Sequence, residues 1–156
     1  MNSFSDPKTQ ATDRSPGFQL VQQLKGFYEQ FAVDQLVRLN EFYTSDVEFR
    51  DPVHTLHGCL AVRHYMRKLA GGLTLYRIRY IDEAVGPNSA YLTWEMDYAH
   101  RKVNRGQTVT VRGMSQLKFT DKVYYHEDCY DLGALVYEHL PLFGRIVRSL
   151  KKRLAG

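Results

Sequence analysis

An α+β fold is predicted for this chain by three observations. Apolar residues recur at helical spacing in the first part of the chain, the period changes to two after Gly71-Gly72, and turn residues divide the rest of the chain as far as residue 131 into four strands. Helices followed by an antiparallel meander place helices on one side of a sheet. With 156 residues, 44% hydrophobic and 13% aromatic, the chain suits one domain with a sizeable core.

Taken in order, residues 1–14 have no periodicity and read as a disordered polar tail. Ser15-Pro16 supplies a cap and a first-turn proline, and Leu20, Leu24, Phe27 and Phe31, joined by Val21 and Tyr28, follow at helical spacing. After a break near Val33, Asp34 is expected to cap a second helix through Leu36, Val37, Leu39 and Tyr43. A strand through Val47, Phe49 and Asp51 comes next, then a loop over His54-Thr55-Leu56-His57-Gly58. A short helix over 59–70 is stopped by Gly71-Gly72. Strands are expected over 74–82, 89–101, 107–120 and 123–131. Ala90, Leu92, Trp94, Met96 and Tyr98 form one inward row, and Val109, Val111, Gly113, Ser115, Leu117 and Phe119 form another.

Asp51-Pro52 carries the chemical interest of the first strand. Side chains at i, i+2 and i+4 share a face, so Asp51 follows Val47 and Phe49 to the edge of the core, where Pro52 ends the pairing. A carboxylate in apolar surroundings either finds a donor or becomes a proton carrier. The plain alternative is that Asp51 caps the following turn.

The net charge of +4 is concentrated at the end of the chain, where Arg145, Arg148, Lys151, Lys152 and Arg153 occur without an acid among the last twelve residues. Ile146, Val147, Leu150 and Leu154 form a stripe opposite them, so residues 134–156 read as a basic amphipathic helical extension. Such a helix docks on its own domain, on a partner or peripherally on an anionic membrane. No nucleic-acid module is recognisable, and a nucleic-acid partner is not expected. Cys59 and Cys129 have no metal or redox spacing, and no signal-peptide core or membrane-length apolar run occurs. A cytoplasmic protein is the expectation.

Three segments, in this order, resemble the nuclear transport factor 2-like superfamily, and within it SnoaL-like and ketosteroid isomerase-like domains. They are Phe42-Tyr43-x-x-Asp46-Val47-x-Phe49-x-Asp51-Pro52, His57-Gly58-x-x-Ala61-Val62-x-x-Tyr65 and the strand ending Leu117-Lys118-Phe119. The resemblance covers about Phe18 to Asp131 and implies a domain over 15–133: a cone-shaped, curved antiparallel sheet wrapped around the N-terminal helices, with an apolar pocket. It also implies a homodimer through the outer sheet face, which carries Thr93, Glu95, Arg112 and Gln116.

In ketosteroid isomerase the Asp-Pro aspartate moves a proton between carbons, and Asp51 matches it by motif. The tyrosine of that site matches Tyr28 only after a one-residue shift, and its second acid falls on Ser115. Aligning the last strand to the family suggests that Tyr124, His126, Asp128 and Tyr130 face inward. Asp51, His126 and Asp128 are therefore the expected catalytic set. Tyr28, Phe49, Trp94, Tyr98, Ser115 and Tyr130 are expected to contact a small apolar or aromatic ligand. The implied function is an isomerase, cyclase or hydrolase acting without a cofactor on a carbonyl-bearing or epoxide-like molecule. The rival is a non-catalytic binding or assembly domain. Asp51, His54 and His57 match no metal signature, and no metal is expected.

Overall fold

The computed structural model describes residues 15–102 and 104–131, together with Lys152. The expected tail over 1–14 and the helical extension over 134–156, Lys152 apart, lie outside the described residues.

Helix α1 (Pro16–Glu29) begins as its sequence dictates: Ser15 Oγ accepts a hydrogen bond from the Phe18 N–H at 3.1 Å, and Pro16 occupies the first turn. Its buried face carries Leu20, Val21, Leu24 and Phe27. The expected second helix is replaced by a 3-10 helix (Val33–Arg38) and a single α turn, α2 (Leu39–Phe42). Ala32, not Asp34, holds the cap position, and no side chain caps it. Leu36, Leu39 and Phe42 are buried three residues apart, a period that suits 3.0 residues per turn better than 3.6. Tyr43 leaves the helical stretch altogether and opens strand β1 (Tyr43–Arg50).

The segment expected as a loop after Asp51 turns back to form β2 (Thr55–His57), antiparallel to β1 with Phe49 opposite Leu56. Gly58, at φ 89°, takes a backbone conformation that side-chain-bearing residues rarely adopt, and α3 (Cys59–Ala70) follows with the expected bounds. Strands β3 (Leu73–Val85), β4 (Ser89–His100), β5 (Val109–Phe119) and β6 (Val123–Tyr130) make the expected meander.

The curved sheet has the order β2-β1-β6-β5-β4-β3. It is mixed and not wholly antiparallel, because β1 lies parallel to β6. A parallel pair needs a long crossover, and here α3 and three strands of the meander lie between the two partners.

Registers place the inward side chains in rows that cross the sheet. One runs Phe49, His126, Leu117, Ala90, Val85, a second Asp128, Ser115, Leu92, and a third Tyr130, Gly113, Trp94, Tyr80. The main core gathers Val21, Leu24, Leu36, Val47, Val62, Leu117 and Phe119 between helices and sheet, and a second cluster centres on Trp94, Tyr98, Val109 and Val111.

Strand β6 changes phase within its length. Phe119 is opposite Val123 and Lys118 opposite Tyr125, so Tyr124 is an extra residue in a β-bulge. Val123 and His126 are consequently both buried, while Tyr124, expected to face inward, is 44% exposed.

Candidate functional site

The inner wall carries an uninterrupted chain of hydrogen bonds from α1 to β4. Tyr28 Oη lies 2.8 Å from Tyr43 Oη, which lies 2.6 Å from His126 Nδ1. His126 Nε2 is 2.8 Å from Asp128 Oδ1, Ser115 Oγ donates to that same oxygen at 2.5 Å, and Trp94 Nε1–H donates to Ser115 Oγ at 2.9 Å.

Donor counting gives this chain one direction when Asp128 is ionised and His126 neutral. An indole N–H only donates, so Ser115 receives it and has one proton to give, which goes to Asp128. A carboxylate only accepts, so His126 presents Nε2–H to it and leaves Nδ1 to accept from Tyr43; Tyr43 in turn accepts from Tyr28. Burial pushes both tyrosine hydroxyls well above their ordinary ionisation range, which keeps them protonated as donors.

Both arms end on Oδ1 of Asp128. Among the described residues no donor is found for its Oδ2, and the side chain is 22% exposed where that of His126 is 6%. Aromatic surfaces surround the pair. The Phe49 ring lies 4.8 Å from that of His126, the Tyr43 ring stacks on it at 5.9 Å, and Trp94 and Tyr130 face one another at 6.2 Å.

Asp51 is differently employed. Its side chain is 3% exposed, so it is withdrawn from bulk solvent as expected, but both oxygens are engaged. Oδ1 accepts from the backbone N–H groups of Val53 and His54 at 2.7 Å each, and Oδ2 accepts a short hydrogen bond from Tyr65 Oη. The turn-capping arrangement set against the catalytic one from sequence is thus present in full. Burial, then the bond to Asp51, holds the Tyr65 hydroxyl far above its usual range. Tyr130 is also pushed up, first by burial and then by the charges of Asp51 and Asp128.

The structure therefore brings Tyr28, Ser115, Trp94, His126 and Asp128 into one network, with Phe49 and Tyr130 against it. Tyr98 is buried in the neighbouring cluster with Val109 and Val111. Sequence reading misses Tyr43 and Tyr65 as site residues. Tyr43 reads as part of a helix, and Tyr65 carries a signal only in its spacing from Gly58 on α3. A surface hollow of about 380 Å³ between α1 and the 3-10 helix, lined by Gln23, Gln30, Arg38 and Phe42 among others, includes none of the expected site residues.

Helices against one face of a curved six-stranded sheet, with polar residues on its inner wall, define a nuclear transport factor 2-like cone. The chain matches the SnoaL-like domain model over residues 24–126 and belongs to that family.

Among solved structures, it is similar to a protein assigned as a SnoaL-like polyketide cyclase from Jannaschia sp. CCS1, with TM-score 0.67 and 14% identity over 86% of this chain and 94% of that one. It is similar to TerC co-crystallised with polyporic acid, with TM-score 0.65 and 16% identity over 78% and 95% of the two chains. A third similar structure is a protein of ketosteroid isomerase-like fold from Catenulispora acidiphila DSM 44928 in complex with trimethylamine. Its TM-score is 0.65 and its identity 10%, over 78% and 91% of the two chains. At such identities the likeness establishes the fold, while function is argued from the site. No curated protein matches the chain by sequence. Among the described residues no helix is long and apolar enough to cross a membrane.

Proposed function

We propose that the protein binds a small apolar or aromatic, carbonyl-bearing molecule against the inner wall and moves a proton on it with Asp128. The supporting observation is the convergence of two hydrogen-bonded arms on Oδ1 of Asp128, which leaves Oδ2 as the accepting atom. His126 orients this carboxylate and supports its charge. Phe49, Trp94 and Tyr130 offer the aromatic surfaces on which a planar ligand rests. Isomerisation and cyclisation of a carbonyl compound use such a base on a C–H group of the ligand, and hydrolysis uses it on the attacking water.

In this reading Asp51 holds the turn before β2 and fixes Tyr65, and Asp128 takes the role that the Asp-Pro motif suggested for Asp51. Engagement of both Asp51 oxygens by three donors supports the change, because a ligand would have to displace one of these protein contacts to use either oxygen. The domain over 15–133 is proposed to act in the cytoplasm. A homodimer would form through the outer sheet face, where Tyr91 and Met114 are exposed beside Thr93, Arg112 and Gln116.

The test uses Trp94, the one tryptophan of the chain, as its reporter. Titration with polyporic acid, the ligand of the TerC structure, is expected to quench Trp94 emission, and mass spectrometry of the freshly purified protein to find a bound apolar molecule. Absence of both results would remove the binding proposal. Full turnover of an identified substrate by Asp128→Asn would remove the catalytic role of Asp128, and a bound molecule released unchanged would instead favour the non-catalytic binding domain.

A further inference from the structure

We propose that Gly113 is a positioning residue for Asp128, acting through Trp94 and Ser115; this rests on the reading of Asp128 as the working carboxylate. Gly113 lies mid-strand, directly opposite Trp94 on one side and Tyr130 on the other. Glycine weakens a strand interior, so its place there calls for a close approach by something else.

That approach is made by the indole. A Cβ at position 113 would overlap Cζ2 and Cη2 of Trp94 and stand 2.9 Å from Cε2. With hydrogen in its place, the six-membered ring lies across the β5 backbone, and Nε1 reaches Ser115 two residues along the same strand. The ring is rigid, so it cannot clear a methyl group by bending its far end; it has to swing as a whole and carry Nε1 with it.

The consequence passes through the hydroxyl of Ser115. A serine hydroxyl rotates freely unless its lone pairs are engaged, and here the indole N–H engages one and leaves the proton aimed at Asp128 Oδ1. Gly113 touches neither Ser115 Oγ nor Asp128 with a side chain. It acts only by what it leaves room for.

The test needs no ligand, so its outcome is separate from that of the binding proposal. In the 15N-labelled full chain a single indole N–H resonance belongs to Trp94. Gly113→Ala is expected to move it and to speed its hydrogen exchange about fivefold, as loss of one neutral hydrogen bond does. Asp128→Asn, two hydrogen bonds away, is expected to move the same resonance in the parent chain but not in the Gly113→Ala background. An unmoved indole in Gly113→Ala, or an equal response to Asp128→Asn in both backgrounds, would overturn the proposal.

If Gly113→Ala alone does not fold, the Trp94→Phe background provides room for the methyl group. There Gly113→Ala is expected to leave the urea midpoint nearly unchanged relative to Trp94→Phe. Failure to fold in that background too, or a drop as large as other mid-strand substitutions give, would make Gly113 a purely structural glycine.

Discussion

Tyr43 and His126 stand 83 residues apart in sequence and share a 2.6 Å hydrogen bond across the parallel pair β1 and β6. The bond joins the first long strand of the sheet to the last and fixes Nδ1 of the imidazole whose other nitrogen faces Asp128. Stability and the proposed chemistry therefore meet in one contact.

Tyr43→Phe keeps the ring and removes the hydroxyl, leaving His126 Nδ1 buried without its donor. The expected cost is about 1–3 kcal/mol, measured as a lower urea midpoint at unchanged m-value. Tyr28→Phe, which leaves the Tyr43 to His126 bond in place, is expected to cost less.

Asp51→Ala frees two backbone N–H groups and the Tyr65 hydroxyl at the turn into β2. A loss of about 1–3 kcal/mol is expected, since these are hydrogen bonds to a charged acceptor. Asp51→Asn retains an acceptor oxygen and should lose less. In the Trp94 quenching assay, both variants are expected to bind more nearly like the parent than Asp128→Asn does; the reverse order would return the central role to Asp51.

Acid should weaken the outer sheet face. Glu95 is held below its ordinary value of 4.5 by Arg112 and then Arg79, and Asp97 below its value of 3.8 by Arg79 and then Thr110. A lowered native ionisation contributes stability above the unfolded value and loses it as pH falls through the native one. Stability should therefore decline from about pH 4.5 downward, and Arg79→Ala should flatten that decline. Circular dichroism against pH, with and without added salt, measures it; an unchanged acid limb in the variant would refute the assignment.

Alkali should act through the buried tyrosines. Tyr28, Tyr43 and Tyr80 are held above their ordinary value of 10.0, chiefly by burial. The unfolded chain therefore releases protons first, and stability falls as pH rises past that value. Tyrosinate absorbance is expected to lag and then rise with unfolding. A smooth rise in a still-folded protein would show these hydroxyls to be open to solvent.

Much of the fold is legible in the sequence because local pattern suffices for it. The bounds of α3, the meander and the rows through Trp94 and Ser115 follow from periodicity and turn residues. The parallel pairing of β1 with β6 is not legible, since it joins segments far apart in the chain. Strand β2 is hidden for a different reason: three residues are too few to show a period. His126 and Asp128 face the inner wall as alternation along β6 allows, but Tyr124 does not, because alternation assumes one phase per strand and a bulge breaks it. At the site, Asp51 is legible as a withdrawn acid. Its three donors are not, for two belong to its own turn and the third, Tyr65, is positioned by α3.

The bulge at Tyr124 also decides which side chains of β6 reach the site. Up to Val123 the strand is keyed to the main core, and beyond Tyr125 it is keyed to the inner wall. With Val123 held against Phe119, a strand that kept all its residues but lacked the bulge would turn Tyr125, Glu127 and Cys129 inward and His126 and Asp128 toward solvent. A single-codon deletion of Tyr124 would close the bulge and leave His126 and Asp128 facing inward, so the surplus residue is what lets Val123 and the site share one face at this chain length.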